Sequence, residues 1–225
     1  MRHLLVLSAF LFHLLAQAQE SIPPDPFHEV VPIDKGYWEN RGQLTDPEGR
    51  SSMEAAFISE GVYPFVYPAE GGRVSFTASV QSADSLIPDT LMRWDMRLLG
   101  GRAQEAAPIG VAPRADYRNY YFPHCGEAGL TMVRRFERVV YEEVYPGIDL
   151  HLYPGAAGQK FAFVCRPGSD PSLIAMLFEG LADITIEHDG SLSFPILSQT
   201  IRLPRPMAYQ FQGSKSGPAA GSVPI

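Results

Sequence analysis

Between Arg135 and Arg166 the chain reads RFERVVYEEVYPGIDLHLYPGAAGQKFAFVCR, and its alternation is that of strands joined by tight turns. Val139, Val140, Tyr141, Val144 and Tyr145 are β-branched or aromatic, the types that fit a pleated surface. Pro146 and Gly147 form a turn dipeptide, because proline presets φ and glycine tolerates φ > 0. Ile148, Leu150 and Leu152 then point one way and Asp149, His151 and Tyr153 the other. Gly155 to Gly158 reverses the chain, and Lys160 to Cys165 returns with Phe161, Phe163 and Cys165 on one face. The stretch predicts a hairpin inside an antiparallel sheet and contains no catalytic grouping.

The remaining composition agrees with that element. Gly 20 and Pro 20 in 225 residues, with Tyr 10 and Phe 13, favour many turns and an all-β chain over a helical one. A net charge of -7 leaves no electrostatic footprint for nucleic acid. The first residues bear on the compartment. Met1 to His3 is a short positive start, Leu4 to Leu15 is nearly unbroken apolar chain, and Ala16 and Ala18 are the small residues a signal peptidase needs. The apolar run is shorter than the ~20 residues of a bilayer span. The expectation is a signal peptide at residues 1–18, cleavage before Gln19, and a secreted chain, extracellular or at the outer cell surface, that spans no membrane after cleavage. An oxidising compartment permits a disulfide between Cys125 and Cys165, the two cysteines present; a buried thiol at Cys165 is the alternative.

Residues 19–33 are rich in proline and acid and predict an extended leader. A β-rich domain is expected over 34–210. Its short strands include Ala55 to Ser59, Val62 to Tyr67 and Arg73 to Val80, and in Leu91 to Leu99 the residues Met92, Trp94, Met96 and Leu98 share an apolar face. The Ala/Pro/Gly connector at 102–114 is the candidate junction between two subdomains. Asp170 is placed to cap a short turn with Pro171 at its first position. Asp189 and Gly190 signal a further hairpin that pairs Ile184 and Ile186 with Leu192 and Phe194. Residues 211–225 predict a mobile or truncated end.

Several motifs occur in order: ENRGQ (39–43), NYYFPHC (119–125), RFERVVYEEVYPGIDLHLY (135–153), RPGSDPSLI (166–174), FEG (178–180), DGSL (189–192) and PMAYQ (206–210). Over roughly Asp34 to Gln210 the chain resembles an N-terminal domain of unknown function in exported Bacteroidota-type proteins. That domain often precedes seven-bladed beta-propeller-type repeats, in chains ending with a type IX secretion or gliding-motility-associated tail. The resemblance implies a β-rich fold, an extracellular setting and no assigned catalytic residue. No such repeats or tail follow Gln210 in this sequence, so the chain is expected to be a short member or a piece of a longer protein.

Candidate chemistry is sparse. His124 and Cys125 are adjacent, whereas a Cys/His nucleophile needs partners converging in space. Glu142, Glu143, Asp149, Asp170 and Glu179 could supply two facing carboxyls for a hydrolase, but their spacing fixes no separation, and solvated or capping roles are the ordinary ones. His124, Cys125, His151 and His188 form no compact ligand motif, and turn chemistry accounts for Asp46, Glu48, Asp183 and Asp189, so no metal and no cofactor is expected. The binding candidates are Tyr117, Tyr120 and Tyr121, followed by Phe122, since tyrosine suits protein or glycan surfaces. At strand spacing most such aromatics line a core, and Trp38 and Trp94 are expected to pack.

The expected fold is all-β: an antiparallel β-sandwich or two packed β subdomains with little helix. The expected role is a non-catalytic structural or adhesive module with downstream domains, surface proteins or glycans as partners. A carbohydrate-binding module, with exposed coplanar rings, and a hydrolase are the alternatives.

Overall fold

The computed structural model describes residues 2–5, 34–80, 90–155, 158–196, 199–211 and 222–224. The expected leader at 19–33 lies outside the described residues, as does most of the expected signal peptide and most of 211–225. The protein is all-β and antiparallel. It divides into two compact units, with the boundary between Gly180 and Leu181. Residues 102–114 hold a single 3-10 turn, Ala103–Glu105, and the start of a strand, all inside the first unit. Among the described residues no helix is long and apolar enough to cross a membrane.

The first unit has two sheets. One runs β1 (Arg2–Leu5), β11 (Met176–Glu179), β6 (Thr90–Leu98), β5 (Arg73–Val80), β4 (Phe65–Ala69). The other runs β10 (Gly158–Cys165), β9 (Ile148–Gly155), β8 (Leu130–Tyr145), β2 (Gly36–Glu39), β3 (Phe57–Glu60), with β7 (Ile109–Tyr120) also paired to β8. The second unit contains β12 (Thr185–Ile186), β13 (Leu192–Ile196) and β14 (Gln199–Leu203) in one sheet, and β15 (Tyr209–Phe211) paired with β16 (Ser222–Pro224). Ile186 pairs with Leu192 across the turn that holds Asp189 and Gly190.

Period-two patterning places the core. On β6, Trp94, Met96 and Leu98 are buried while Arg93 and Arg97 are exposed. Phe76 lies directly across from Trp94, and the rings stack at 5.4 Å with planes 8° apart. A ring pair of this kind adds about 0.5–1.5 kcal/mol beyond its burial. On β9, Ile148, Leu150 and Leu152 are buried and Asp149, His151 and Tyr153 half-buried, as the alternation predicts.

Two phenols on β8 join the sheets. The Tyr141 hydroxyl accepts from Ala69 N–H at 2.9 Å. It lies 2.8 Å from Ala69 O and 2.9 Å from Arg73 O, to one of which it donates. One turn of strand later, the Tyr145 hydroxyl accepts from Ala175 N–H at 3.2 Å and faces Leu99 O and Ala175 O, both at 3.0 Å. These main-chain groups sit at strand ends, at or beyond the end of the regular ladder of the first sheet; Ala175 O also accepts from Leu99 N–H at 2.9 Å. Burial pushes both phenols above the usual tyrosine pKa, so they stay protonated as donors.

A charged cluster covers the outer face of the first sheet. Glu54 pairs with Arg73 at 2.7 Å and with Arg93 at 2.8 Å, and Arg93 also meets Asp95 at 3.1 Å. The hydrogen bonds from Arg93 and then Arg73 lower the Glu54 pKa from 4.5 to about 2.

Two outcomes are expected. Tyr141→Phe strands buried backbone groups and costs about 1–3 kcal/mol, read as a lower denaturation midpoint at unchanged slope. Because the folded Glu54 pKa lies below its unfolded value, its contribution is complete above pH 4.5 and disappears as pH falls toward about 2. Glu54→Gln therefore flattens the stability-against-pH curve across that window, and an unchanged curve would count against the cluster.

Candidate functional site: the aromatic end of the β7–β8 hairpin

β7 and β8 form a long ribbon whose far end, residues 117–134, carries the exposed aromatics. Gly110 through Tyr120 reads GVAPRADYRNY, without an apolar set at alternate positions, and no residue of β7 is fully buried. The pairing is irregular between Pro113 and Tyr117 and again between Arg118 and Tyr120. Ala112 and Met132 take positive φ, 56° and 58°, consistent with bulges that re-aim the ribbon.

Tyr117 is 52% exposed, Tyr121 69%, Phe122 48% and Met132 52%, while Tyr120 is half-buried. The expectation that aromatics at strand spacing line the core therefore fails for this cluster. The reason is local: the end of β7 presents no apolar set at alternate positions, and Tyr121 and Phe122 follow the end of the strand. The expectation holds for Tyr141 and Tyr145 on β8 and for Trp38 and Trp94, which are almost wholly buried.

The exposed end is braced. Tyr120 and Phe122 lie 5.8 Å apart at 42°, and Phe122 stacks on His124 at 5.5 Å and 20°. His124 Nε2 is 3.0 Å from Gln43 O, which places its proton on Nε2. The Tyr121 ring rests against Gly129, where a Cβ would come within 2.6 Å of both the ring and Tyr120 O; with φ at +66°, only glycine fits. Asn119 Oδ1 accepts from Met132 N–H at 2.9 Å.

The ENRGQ segment braces it from behind. Glu39 Oε1 accepts from Arg134 N–H at 2.9 Å, and Arg41 donates to Thr131 O at 2.8 Å, so the segment covers the edge of β8 that β7 leaves open. Buried Asn40 donates to Ser52 O and Ala55 O, both at 2.7 Å, and accepts from Gly42 N–H at 3.0 Å. Gln43 donates to Glu39 O at 2.6 Å and accepts from Arg41 N–H at 2.8 Å. Gly42 has φ +112° with Ser51 Oγ where a Cβ would stand.

Trp38 is held beneath the ribbon. Arg118 lies 4.2 Å and Arg135 5.4 Å from its ring centre, each contact worth about 0.5–2 kcal/mol. Glu60 takes the Trp38 Nε1–H at 2.7 Å and pairs with Arg118 and Arg135, and Arg135 meets Asp116 at 2.6 Å. The burial of this ring removes it as a surface platform.

Other candidate groups have structural partners. Asp149 accepts from Glu143 N–H at 2.8 Å and pairs with Arg166 at 3.0 Å; Arg166 also pairs with Glu143. Asp170 caps Ser172 N–H at 2.9 Å, with Pro171 at the first turn position as expected. Asp189 takes Ser191 Oγ–H at 2.6 Å and Arg202 at 2.6 Å. Hydrogen bonds from Ser172 and from Ser191 hold Asp170 and Asp189 below the usual carboxylate pKa. Glu179 lies 3.5 Å from Arg97, and Glu142 is exposed. Among the described residues no group of three or more His, Cys, Asp or Glu is placed to hold a metal.

The disulfide expectation is corrected. Cys125 and Cys165 are free, and Cys165 is exposed rather than buried. Register explains why. Cys165 pairs with Ile148, which pairs with Tyr145 at the end of β8, whereas Cys125 lies just before Leu130 at its start. Along the 16 residues of β8 the separation is on the order of 50 Å, against roughly 4.4–6.8 Å between bridged Cα atoms.

A family described as a domain of unknown function, DUF7948, matches residues 37–220. The chain belongs to this family. The match runs from β2 into the second unit and includes the whole aromatic hairpin. No curated protein and no solved structure matches the chain.

Register also sets an outcome for thiol chemistry. Both cysteines of the folded, denatured-then-titrated chain should count as free thiols, with identical gel mobility under reducing and non-reducing conditions. A mapped Cys125–Cys165 bridge would contradict the pairing of β8, β9 and β10.

Proposed function

We propose that this DUF7948 chain is a non-catalytic structural and adhesive module at the cell exterior, and that it makes contact through the end of the β7–β8 hairpin. The observation that carries the reading is the exposure of Tyr117, Tyr121, Phe122 and Met132 on a ribbon end braced from several sides. Exposed aromatics ordinarily cost solubility and are found where a partner covers them. Bracing lowers the entropy lost on contact, because the backbone that carries the rings is already held. The acidic and thiol groups that could have suggested hydrolysis are better accounted for as caps, ion pairs and surface side chains.

In this reading the chain is exported through its N-terminal signal, whose cleavage removes β1 and leaves β11 as the edge of the first sheet, and is the first piece of a larger Bacteroidota-type surface protein, with propeller-type repeats and a sorting tail downstream. The module then holds or caps its neighbours while the hairpin end meets the surroundings.

The test is on whole cells. Antibody against the purified chain should label unpermeabilised cells of the source organism, and added chain should bind them. The Tyr117→Ala/Tyr121→Ala double variant should bind about tenfold less or worse, with unchanged melting because both side chains are exposed. Labelling only after permeabilisation, or equal binding by the variant, contradicts the proposal.

A further inference from the structure

The rings at the hairpin end are not equivalent. Phe122 is engaged on both sides in the row with Tyr120 and His124, so it acts as a buttress. Tyr117 and Tyr121 are the exposed tyrosines, four residues apart, an interval of about 13 Å in extended chain. Asn119 lies between them; its Oδ1 is engaged by Met132 N–H, which leaves the amide N–H groups directed elsewhere. Arg134 is the cross-strand partner of Tyr117, so the two side chains share a face of the ribbon.

Charge gives the site its direction. Arg134 is exposed, and among the described residues its guanidinium makes no ion pair. The carboxylate nearest along the bonding pattern, Glu39, takes the Arg134 main-chain N–H instead. Arg41 adds a second guanidinium, anchored through Nη1 to Thr131 O. Arg118 and Arg135, by contrast, are neutralised by Glu60 and Asp116. An exposed guanidinium at Arg134 without an ion pair, beside exposed Tyr117, stands out on a chain of net charge -7.

We propose that Tyr117, Asn119, Tyr121 and Arg134 form a subsite for an acidic polysaccharide, one with carboxylate-bearing sugars. A tyrosine ring offers a flat apolar body to the C–H face of a sugar and a hydroxyl to its edge. The Asn119 amide supplies hydrogen bonds. The Arg134 fork receives the carboxylate, which it matches in plane and can bind through two parallel N–H bonds. The alternative occupant, an apolar cleft on a protein, would anchor on Phe122, 48% exposed beyond its stack on His124, and would make no use of Arg134. Trp38 and Trp94 take no part, since both are buried. The inference rests on the reading of this end as the contact surface and adds the class of ligand.

Affinity electrophoresis and calorimetry on the full chain test it, with polygalacturonate as the probe, laminarin as a neutral glucan and polyglutamate as a polyanion without sugar rings. Polygalacturonate should bind, and laminarin and polyglutamate should bind at least about tenfold more weakly. Tyr121→Ala, Tyr117→Ala and Arg134→Gln should each weaken polygalacturonate binding by about tenfold. Leu91→Ala, 68% exposed and elsewhere in the fold, should not change it. Added salt should blunt the Arg134→Gln difference more than the tyrosine differences. No polygalacturonate binding, equal binding of either control polymer, or binding that survives the tyrosine changes overturns the inference. Failure here in a chain found on the cell surface leaves the exported module standing. Recovery of the chain only from the cytosol removes the module, whatever it binds.

Discussion

The hydroxyls of Tyr141 and Tyr145 are where the two sheets of the first unit depend on each other. Each ring is buried in the second sheet, and each oxygen serves main-chain groups at the ends of strands in the first. Apolar packing alone would let the sheets slide, because burial is not directional. The phenols remove that freedom. They also satisfy a turn, Ala69 to Arg73, and a strand junction, Leu99 beside Ala175, that would otherwise bury unpaired amides. One strand therefore sets the depth, angle and register of the sandwich.

The same strand carries the exposed aromatic end proposed as the contact surface. β8 runs from a start exposed on the hairpin to a finish locked between sheets. Between them, Arg135 and Phe136 pair with β2, and Trp38 is clasped by guanidinium groups. At the ribbon end the 39–43 segment closes the second edge of β8. The arrangement puts reactive side chains into bracing and leaves ring surface and Arg134 facing outward.

The strand grammar from Val139 to Cys165 was readable because burial there alternates with period two, and the register follows the pattern. Asp170 as a cap was readable because Asp-Pro chemistry is local. ENRGQ was not. Its role is to bond with Ser52, Ala55 and Thr131, partners far along the chain, and no local pattern names them. Tyr117, Tyr120 and Tyr121 stand out in the sequence as binding candidates, but strand spacing alone favours a core for such rings. The contrary signal was present, since GVAPRADYRNY lacks the aliphatic neighbours a core requires. The cysteines misled because compartment chemistry says nothing about distance. Arg134 and Asn119 escaped notice because their significance depends on a cross-strand partner and a bulge.

One chain divides its tyrosines, some locked as fasteners and some exposed at the hairpin end. Brief nitration of the native protein, followed by mass mapping of modified residues, measures that division directly. Tyr117 and Tyr121 should be modified first, while Tyr37, Tyr141 and Tyr145 react only on unfolding. Early modification of Tyr141 or Tyr145, or protection of Tyr117 and Tyr121 in the isolated chain, would contradict it.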